Sequence, residues 1–213
     1  MKRMIIFSFI LFSLCMCNKQ EESPIDDYYQ YRVDIFNKEN ETLGPVDVCV
    51  IGDSLTDGCD FPKFYPDLKI ANRGINGDTT TGVLNRLDCS LINVDMKIVV
   101  LYIGINNIDT MLDNYGDILD AVNLHKPDAA KIVLSLTPTR FTTNDLKMKI
   151  PEKNEAIKSL AESNDFRYVD IYSSLLDEQG FLKEEYTIDG IHFNDAGYTT
   201  IASVLDPIYK SYL

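Results

Sequence analysis

The chain has no tryptophan, only two histidines and only five cysteines in 213 residues. The missing tryptophan removes the ring that most often stacks on sugars. Two histidines leave few choices for an imidazole that exchanges protons near neutral pH. The cysteines lack metal-ligand spacing: Cys15 and Cys17 stand near the start, and Cys49, Cys59 and Cys89 are scattered through the body. Cys49 lies in an apolar run that predicts burial, none of the three has the setting of a nucleophile, and a Cys59–Cys89 disulfide stays open. Basic charge is scarce, with 20 Lys+Arg against 33 Asp+Glu and a net charge of -13. Such a surface repels phosphate backbones and anionic bilayers, which excludes nucleic acid as a partner. Gly74-Ile75-Asn76-Gly77 begins like a phosphate loop, but no Gly-Lys-Ser/Thr and no Gly-x-Gly-x-x-Gly follows. Internal repeats and low-complexity tracts are absent too.

A long hydrophobic run is also missing. Lys2 and Arg3 precede a nearly all-apolar stretch, Met4 to Leu14, too short for a span of about 20 residues but suited to a signal-peptide core. Leu14-Cys15-Met16-Cys17 then gives way abruptly to Asn18-Lys19-Gln20-Glu21-Glu22. This resembles a bacterial lipoprotein signal, with Cys17 as the lipidated residue and Cys15 as the second candidate, although Met16 stands where a small residue is usual. The expected organisation is a signal at 1–17, a polar tether at 18–25 and one domain at 26–213. The expected location is the bacterial envelope, at an outer membrane or cell surface, with the lipid as the only membrane contact. A plain secretory signal and a secreted or periplasmic protein form the alternative.

What is present reads as an ordinary globular domain, 45% apolar and 25% charged. Tyr28, Tyr29, Val33 and Phe36 predict a first helix over Asp27–Asn40, ended by Gly44-Pro45. Short apolar runs follow at Val46–Ile51, Leu68–Asn72, Lys97–Ile103, Lys131–Leu136 and Phe166–Ile171. They are continuous rather than alternating, which predicts strands buried on both faces. Segments of helical spacing separate or follow them at Thr80–Leu91, Tyr115–His125, Glu152–Glu162 and Ala196–Tyr212. Strand–helix alternation predicts a three-layer α/β fold with a parallel sheet of about five strands, whose chemistry collects at the strands' carboxyl ends.

Four polar, glycine-containing loops fall at comparable places. They are Gly52-Asp53-Ser54-Leu55-Thr56-Asp57-Gly58, Asn72-Arg73-Gly74-Ile75-Asn76-Gly77-Asp78, Gly104-Ile105-Asn106-Asn107 and Asp189-Gly190-Ile191-His192. Acyl transfer by serine needs a hydroxyl, a base for its proton and a carboxylate to orient the base. Ser54 supplies the hydroxyl at a change of chain direction. His125 sits at a helix end leading into the fourth strand, remote from the strand ends, so His192 is the base. Asp189 is three residues earlier, and Gly190 lets the loop bend so that its carboxylate reaches Nδ1 while Nε2 faces Ser54. Alone, each piece has a plain structural reading: Gly-Asp-Ser as a helix cap, Asp-x-x-His as another, Gly74 as a turn, Asn106 as a cap. Their order and placement together carry the signal.

That set resembles the SGNH, or GDSL, hydrolase superfamily of esterases and lipases, and looks most like its platelet-activating-factor acetylhydrolase branch. The resemblance implies a flavodoxin-like α/β/α sandwich, a Ser54–His192–Asp189 triad and no cofactor. It also implies an oxyanion hole of the Ser54 N–H, the Gly74 N–H and the Asn106 amide. One departure is visible, because the family's third block usually reads Gly-x-Asn-Asp and here ends in Asn107. The replaced residue is not the oxyanion donor, so activity is expected to survive. The Gly-x-Ser-x-Gly elbow of α/β-hydrolases is absent, since Thr56 takes the last glycine position.

Competing readings are weaker. Asp189, His192 and Asp195 make a thin metal set, so no metal is expected. A glycan-binding lipoprotein that has lost its chemistry would not need serine, histidine and aspartate together. The expected substrate is a small-molecule or glycan ester, first an O-acetyl group on a carbohydrate and second a short-chain lipid or thioester. The aromatic tract Asp60-Phe61-Pro62-Lys63-Phe64-Tyr65-Pro66 is read either as a sugar or acyl contact or as packing against the first helix. Arg73 and Arg86 are read either as contacts for an acidic sugar or as ion-pair partners.

Overall fold

A computed structural model describes residues 24–140 and 144–213. The expectations on the signal at 1–17 with Cys17, and on the tether up to residue 23, lie outside the described residues. Pro24 and Ile25, the last two residues of the expected tether, already belong to helix α1 (Pro24–Asn40).

Five parallel strands form one sheet: β1 (Val46–Gly52), β2 (Ile70–Gly74), β3 (Met96–Tyr102), β4 (Ala130–Leu134) and β5 (Arg167–Val169). Their order is β2-β1-β3-β4-β5. The chain therefore winds outward from β1 in both directions, and the carboxyl ends of β1 and β3 flank the switch point where such sheets place their sites. Along each central strand the side chains alternate between two cores. Cys49, Ile51, Val99, Leu101 and Val133 face one side, against α4 (Thr80–Asn85), α5 (Tyr115–His125) and α6 (Asn144–Ser163). Val48, Val50, Ile98, Val100 and Ile132 face the other. There they meet Leu55 of α2 (Ser54–Asp57), Phe61 of α3 (Phe61–Phe64), Leu175 of α7 (Tyr172–Leu175) and Ile201 of α8 (Asp195–Lys210). This is the expected three-layer α/β/α sandwich. No helix among the described residues is long and apolar enough to cross a membrane.

Helix α1 runs antiparallel to β1. Near its start Tyr28 and Arg32 reach Asp57, just past the carboxyl end of β1, and at its far end Asn40 donates to the Cys89 carbonyl. Phe36 packs between these points against Ile75 and Cys89.

The departures from expectation have local causes. β2 runs two residues further than its apolar run because Arg73 is buried, its guanidinium paired with Glu39 at 2.7 Å and set 4.7 Å from the centre of the Phe36 ring. The segment expected as one helix over Thr80–Leu91 breaks after Asn85, and a π-helical turn takes over Asp88–Ile92. Between them Arg86 turns fully inward, pairs with Asp78 at 2.7 Å and donates to the Ser90 hydroxyl and the Gly52 carbonyl. Neither arginine is therefore presented to a ligand. Helix α6 starts eight residues before Glu152 and passes through Pro151, next to the buried Ile150. In the aromatic tract, Phe61 and Tyr65 are buried, and Tyr65 packs on Tyr209 of α8 rather than on the first helix. All three body cysteines are free, and Cys59 and Cys89 belong to separate clusters, which rules out the disulfide.

Two buried ionisable groups generate predictions. Removing one member of a buried ion pair strands the other without solvent, at about 3–5 kcal/mol. Arg86→Met should lower the melting temperature by roughly 10 °C; a change within a few degrees, read by calorimetry, would show that the pair carries little stability. Asp53, enclosed between β1 and α2, has its carboxyl pushed up to about 7 by burial, with Asp78 adding to the rise and the Leu55 N–H and His192 opposing it. The native state thus keeps a proton that the unfolded chain loses near the ordinary carboxylate value of about 4. Native protein binds more protons through that window, so its stability falls as pH rises from about 4 to 7. Asp53→Asn should flatten that dependence, and melting curves from pH 5 to pH 8 in which both proteins lose stability equally would refute the assignment.

Candidate active site

The first loop is shaped by its own short-range bonds. Asp53 caps α2, its Oδ1 accepting the Leu55 N–H at 3.0 Å and its carbonyl accepting the N–H groups of Thr56 and Asp57. Among the described residues the Ser54 N–H has no hydrogen-bond partner, which leaves one first-turn donor open beside the Ser54 hydroxyl. Tyr198 of α8 donates to the Leu55 carbonyl at 3.1 Å and fixes the helix from the other side.

The second loop presses directly on α2. A Cβ on Gly74 would lie 2.7 Å from the Asp57 Cα, so only glycine fits there. Asn72 links the two segments: its amide donates to the Thr56 carbonyl at 2.9 Å and its Oδ1 accepts the Gly74 N–H at 2.9 Å. The Gly74 N–H thus already has one acceptor, and any second acceptor would share it.

The third loop forms a 3₁₀ turn, Ile105–Asn107, after β3. The Asn106 amide donates one hydrogen to the Asp78 carbonyl at 2.8 Å, which leaves its second hydrogen for another acceptor. Asn107 pairs twice with Thr80, its amide donating to the hydroxyl at 2.9 Å and its oxygen accepting the N–H at 3.3 Å. An aspartate here would accept both the N–H and the hydroxyl of Thr80, so the departure in the third block alters the bonding pattern and keeps the tie.

The fourth loop is a tight reversal. Ile188 N–H and the Thr187 hydroxyl both donate to the His192 carbonyl, and the Thr187 hydroxyl oxygen also accepts the Gly190 N–H. Gly190 takes φ +96°, a conformation that a side chain would strain. Asp189 uses one oxygen to accept the N–H groups of Ile191 and His192, at 2.9 and 2.8 Å. Its other oxygen lies 2.6 Å from His192 Nδ1, and His192 Nε2 lies 3.0 Å from Ser54 Oγ. Burial pushes the Asp189 carboxyl upward, but the bonds from the His192 ring and the two N–H groups outweigh it and bring the pKa to about 2. An ionised Asp189 fixes the tautomer: Nδ1 carries the proton and Nε2 accepts from Ser54. The cap of α8 falls to Asn194, which accepts from Ala196 and Gly197, so Asp189 is not spent as a helix cap.

The structure therefore brings Ser54, His192 and Asp189 into one hydrogen-bonded line, with the Gly74 and Asn106 loops on the adjoining carboxyl ends of β2 and β3. His125 ends α5 at the opposite end of the sheet, beside a crevice of about 660 Å³ that holds none of these residues. Asp195 pairs with Lys63 at 2.6 Å. Asn72, which shapes the site, was legible as a member of the second block, and Thr187 only as a neighbour of the fourth. Arg32, which donates to the Gly74 carbonyl at 3.1 Å, gave no local signal at all.

Behind α2 lies an apolar space of about 30 Å³, bounded by Leu55, Thr56, Cys59, Tyr102 and Tyr198, roughly the size of one water. A crevice of about 330 Å³ adjoins the second loop, lined by Tyr29, Asn76, Asp78, Thr81 and Asn85.

Comparison with known proteins bears on the fold and the family. The human platelet-activating factor acetylhydrolase IB subunit alpha2 is 28% identical over 177 residues, covering 78% of this chain and 77% of its own. A GDSL-like lipase from Bacteroides thetaiotaomicron superposes with a TM-score of 0.74 at 23% identity, over 85% of this chain and 98% of its own. The acetylxylan esterase Axe2 from Geobacillus stearothermophilus gives 0.63 at 20% identity, over 78% and 95%. At those identities the two structures speak for the fold. The family described as GDSL-like lipase/acylhydrolase matches residues 50–200, a segment that holds all four loops. The chain belongs to that family and is a carboxylic ester hydrolase.

Proposed function

We propose that the protein is a serine esterase that removes short acyl groups, acetyl first, from carbohydrate alcohols. The observation that carries this reading is the unbroken line Ser54 Oγ, His192 Nε2, His192 Nδ1, Asp189 Oδ2, with links of 3.0 and 2.6 Å. In the first step His192 takes the Ser54 proton as Oγ attacks the ester carbonyl, and ionised Asp189 steadies the imidazolium that results. The Ser54 N–H, the free hydrogen of the Asn106 amide and the Gly74 N–H, shared with Asn72, receive the developing oxyanion. His192 then protonates the departing alkoxide. Water, deprotonated by His192, attacks the acyl-enzyme, and the collapse of the second intermediate returns the proton to Ser54.

One observation supports a short acyl group: the curated relative matched above is named an acetylhydrolase. The half-exposed Asp189 and His192 leave the alcohol side open, which suits a bulky alcohol such as a sugar. A lipid-directed esterase is the second reading, favoured by the exposed apolar side chains Tyr31 and Ile188 near the same loops. The sequence before Pro24 supports an envelope lipoprotein anchored through Cys17.

Hydrolysis of p-nitrophenyl acetate, butyrate and octanoate tests the reading. The acetate should turn over fastest, and Ser54→Ala should abolish all three. Preference for octanoate would favour the lipid reading, while no turnover by the folded protein would favour a glycan-binding one. Asn106→Ala should lower turnover on the order of 10²–10³-fold while the protein stays folded; full activity would remove Asn106 from the oxyanion hole.

A further inference from the structure

The amino-terminal end of α1 and the four loops share one end of the molecule. Tyr28 Oη donates to Asp57 Oδ2 at 2.7 Å, and Asp57 closes the helix that Ser54 opens. Arg32, one turn on, bonds both Asp57 and the Gly74 carbonyl. The chain therefore enters the domain beside the site. Seven peptide units separate Pro24 from Cys17, a reach of at most about 25 Å even when fully extended.

A second feature of that end is independent of the tether. Tyr31 is 60% exposed, Ile188 71% and Met148 75%. Tyr31 stands beside Tyr28, Ile188 directly precedes Asp189, and Met148 is next to Lys149, which pairs with Asp109 just past the third loop. Leu124, 74% exposed, stands at the opposite end, so exposure alone does not choose between the ends; exposed apolar side chains at the same end as a short tether fit a lipid surface.

We infer that lipidated Cys17 holds the mouth of the active site against the bilayer that carries the anchor, so that the enzyme acts on esters presented at that surface. The inference rests on the reading of Cys17 as the anchor. The anchor would supply the membrane affinity that a chain of net charge -13 lacks, and the apolar rim would set its orientation. Acylated carbohydrates borne on lipids of that bilayer would then reach the mouth, and large soluble polymers would not.

The absence of tryptophan makes the orientation directly readable. The full lipidated chain carrying Tyr31→Trp, or Leu124→Trp at the opposite end of the sheet, is incorporated into phosphatidylcholine vesicles that contain brominated acyl chains. Tryptophan at 31 should be quenched and tryptophan at 124 should not. In the same vesicles the wild-type chain should hydrolyse embedded hexadecyl acetate. Inserting a Gly/Ser segment after Ser23, to lengthen the tether to about 30 residues, should cut that rate roughly fivefold to tenfold. Turnover of soluble p-nitrophenyl acetate should stay unchanged. Equal quenching at both positions, quenching only at 124, none at 31, or a vesicle rate indifferent to tether length would overturn the orientation and leave the anchor and the esterase intact. A mature chain whose mass shows no lipid on Cys17 would instead refute the anchor, and the orientation with it.

Discussion

Arg86 sends Nε to Asp78, Nη1 to Ser90 and Nη2 to the carbonyl of Gly52, with no part of its side chain exposed. Gly52 is the last residue of β1, directly before Asp53 and Ser54. Asp78 belongs to the second loop, and its own carbonyl receives the Asn106 amide. One guanidinium thus ties the segments that carry the nucleophile, the second loop and the third. Burying it is tolerable only because its donors meet a carboxylate, a hydroxyl and a carbonyl at hydrogen-bonding distance. Even so, burial pushes the Asp78 carboxyl upward against the pull of Arg86. Such a knot costs folding energy and returns fixed geometry, which electrostatic catalysis requires.

Two aspartates near the site show how position divides roles. Asp53 is enclosed, accepts one backbone N–H and is pushed up to about 7. Asp189 sits on the rim, accepts two backbone N–H groups and the imidazole, and falls to about 2. A carboxylate that steadies an imidazolium must keep its charge while the imidazole gains one, which suits the second and not the first. The loop geometry secures this, since the same residue that faces Nδ1 spends its other oxygen closing the turn in which His192 sits.

The parts legible in the sequence are those written in short stretches. Five apolar runs gave five strands, and four loops gave the candidate site, because strand burial and loop chemistry are local properties. His192 could be separated from His125 because a helix end leading into a strand lies away from the strands' carboxyl ends. What escaped is what depends on contacts between distant segments. Arg73 and Arg86 look like surface residues until Phe36, Glu39 and Asp78 close around them. The break after Asn85 follows from the inward turn of Arg86, which no periodicity announces. Asn72 was visible as part of a block, yet its bond to the Thr56 carbonyl exists only once β2 lies beside β1.

The placement of the amino terminus follows from topology more than from any one residue. A helix joined to β1 by the short turn Glu41–Pro45 must run back along the strand, so it begins where the strand ends. In a parallel sheet the carboxyl ends of all strands lie together, and the loops that carry chemistry lie there too. Any tether leading into such a helix therefore arrives at the active-site end, whatever its sequence. Moving it elsewhere would need a connection long enough to cross the molecule, and the helix would then lose Tyr28 and Arg32 from Asp57. An anchor at the head of this fold would thus constrain the direction the site faces, and the exposed Tyr31, Ile188 and Met148 would meet what lies in front of it.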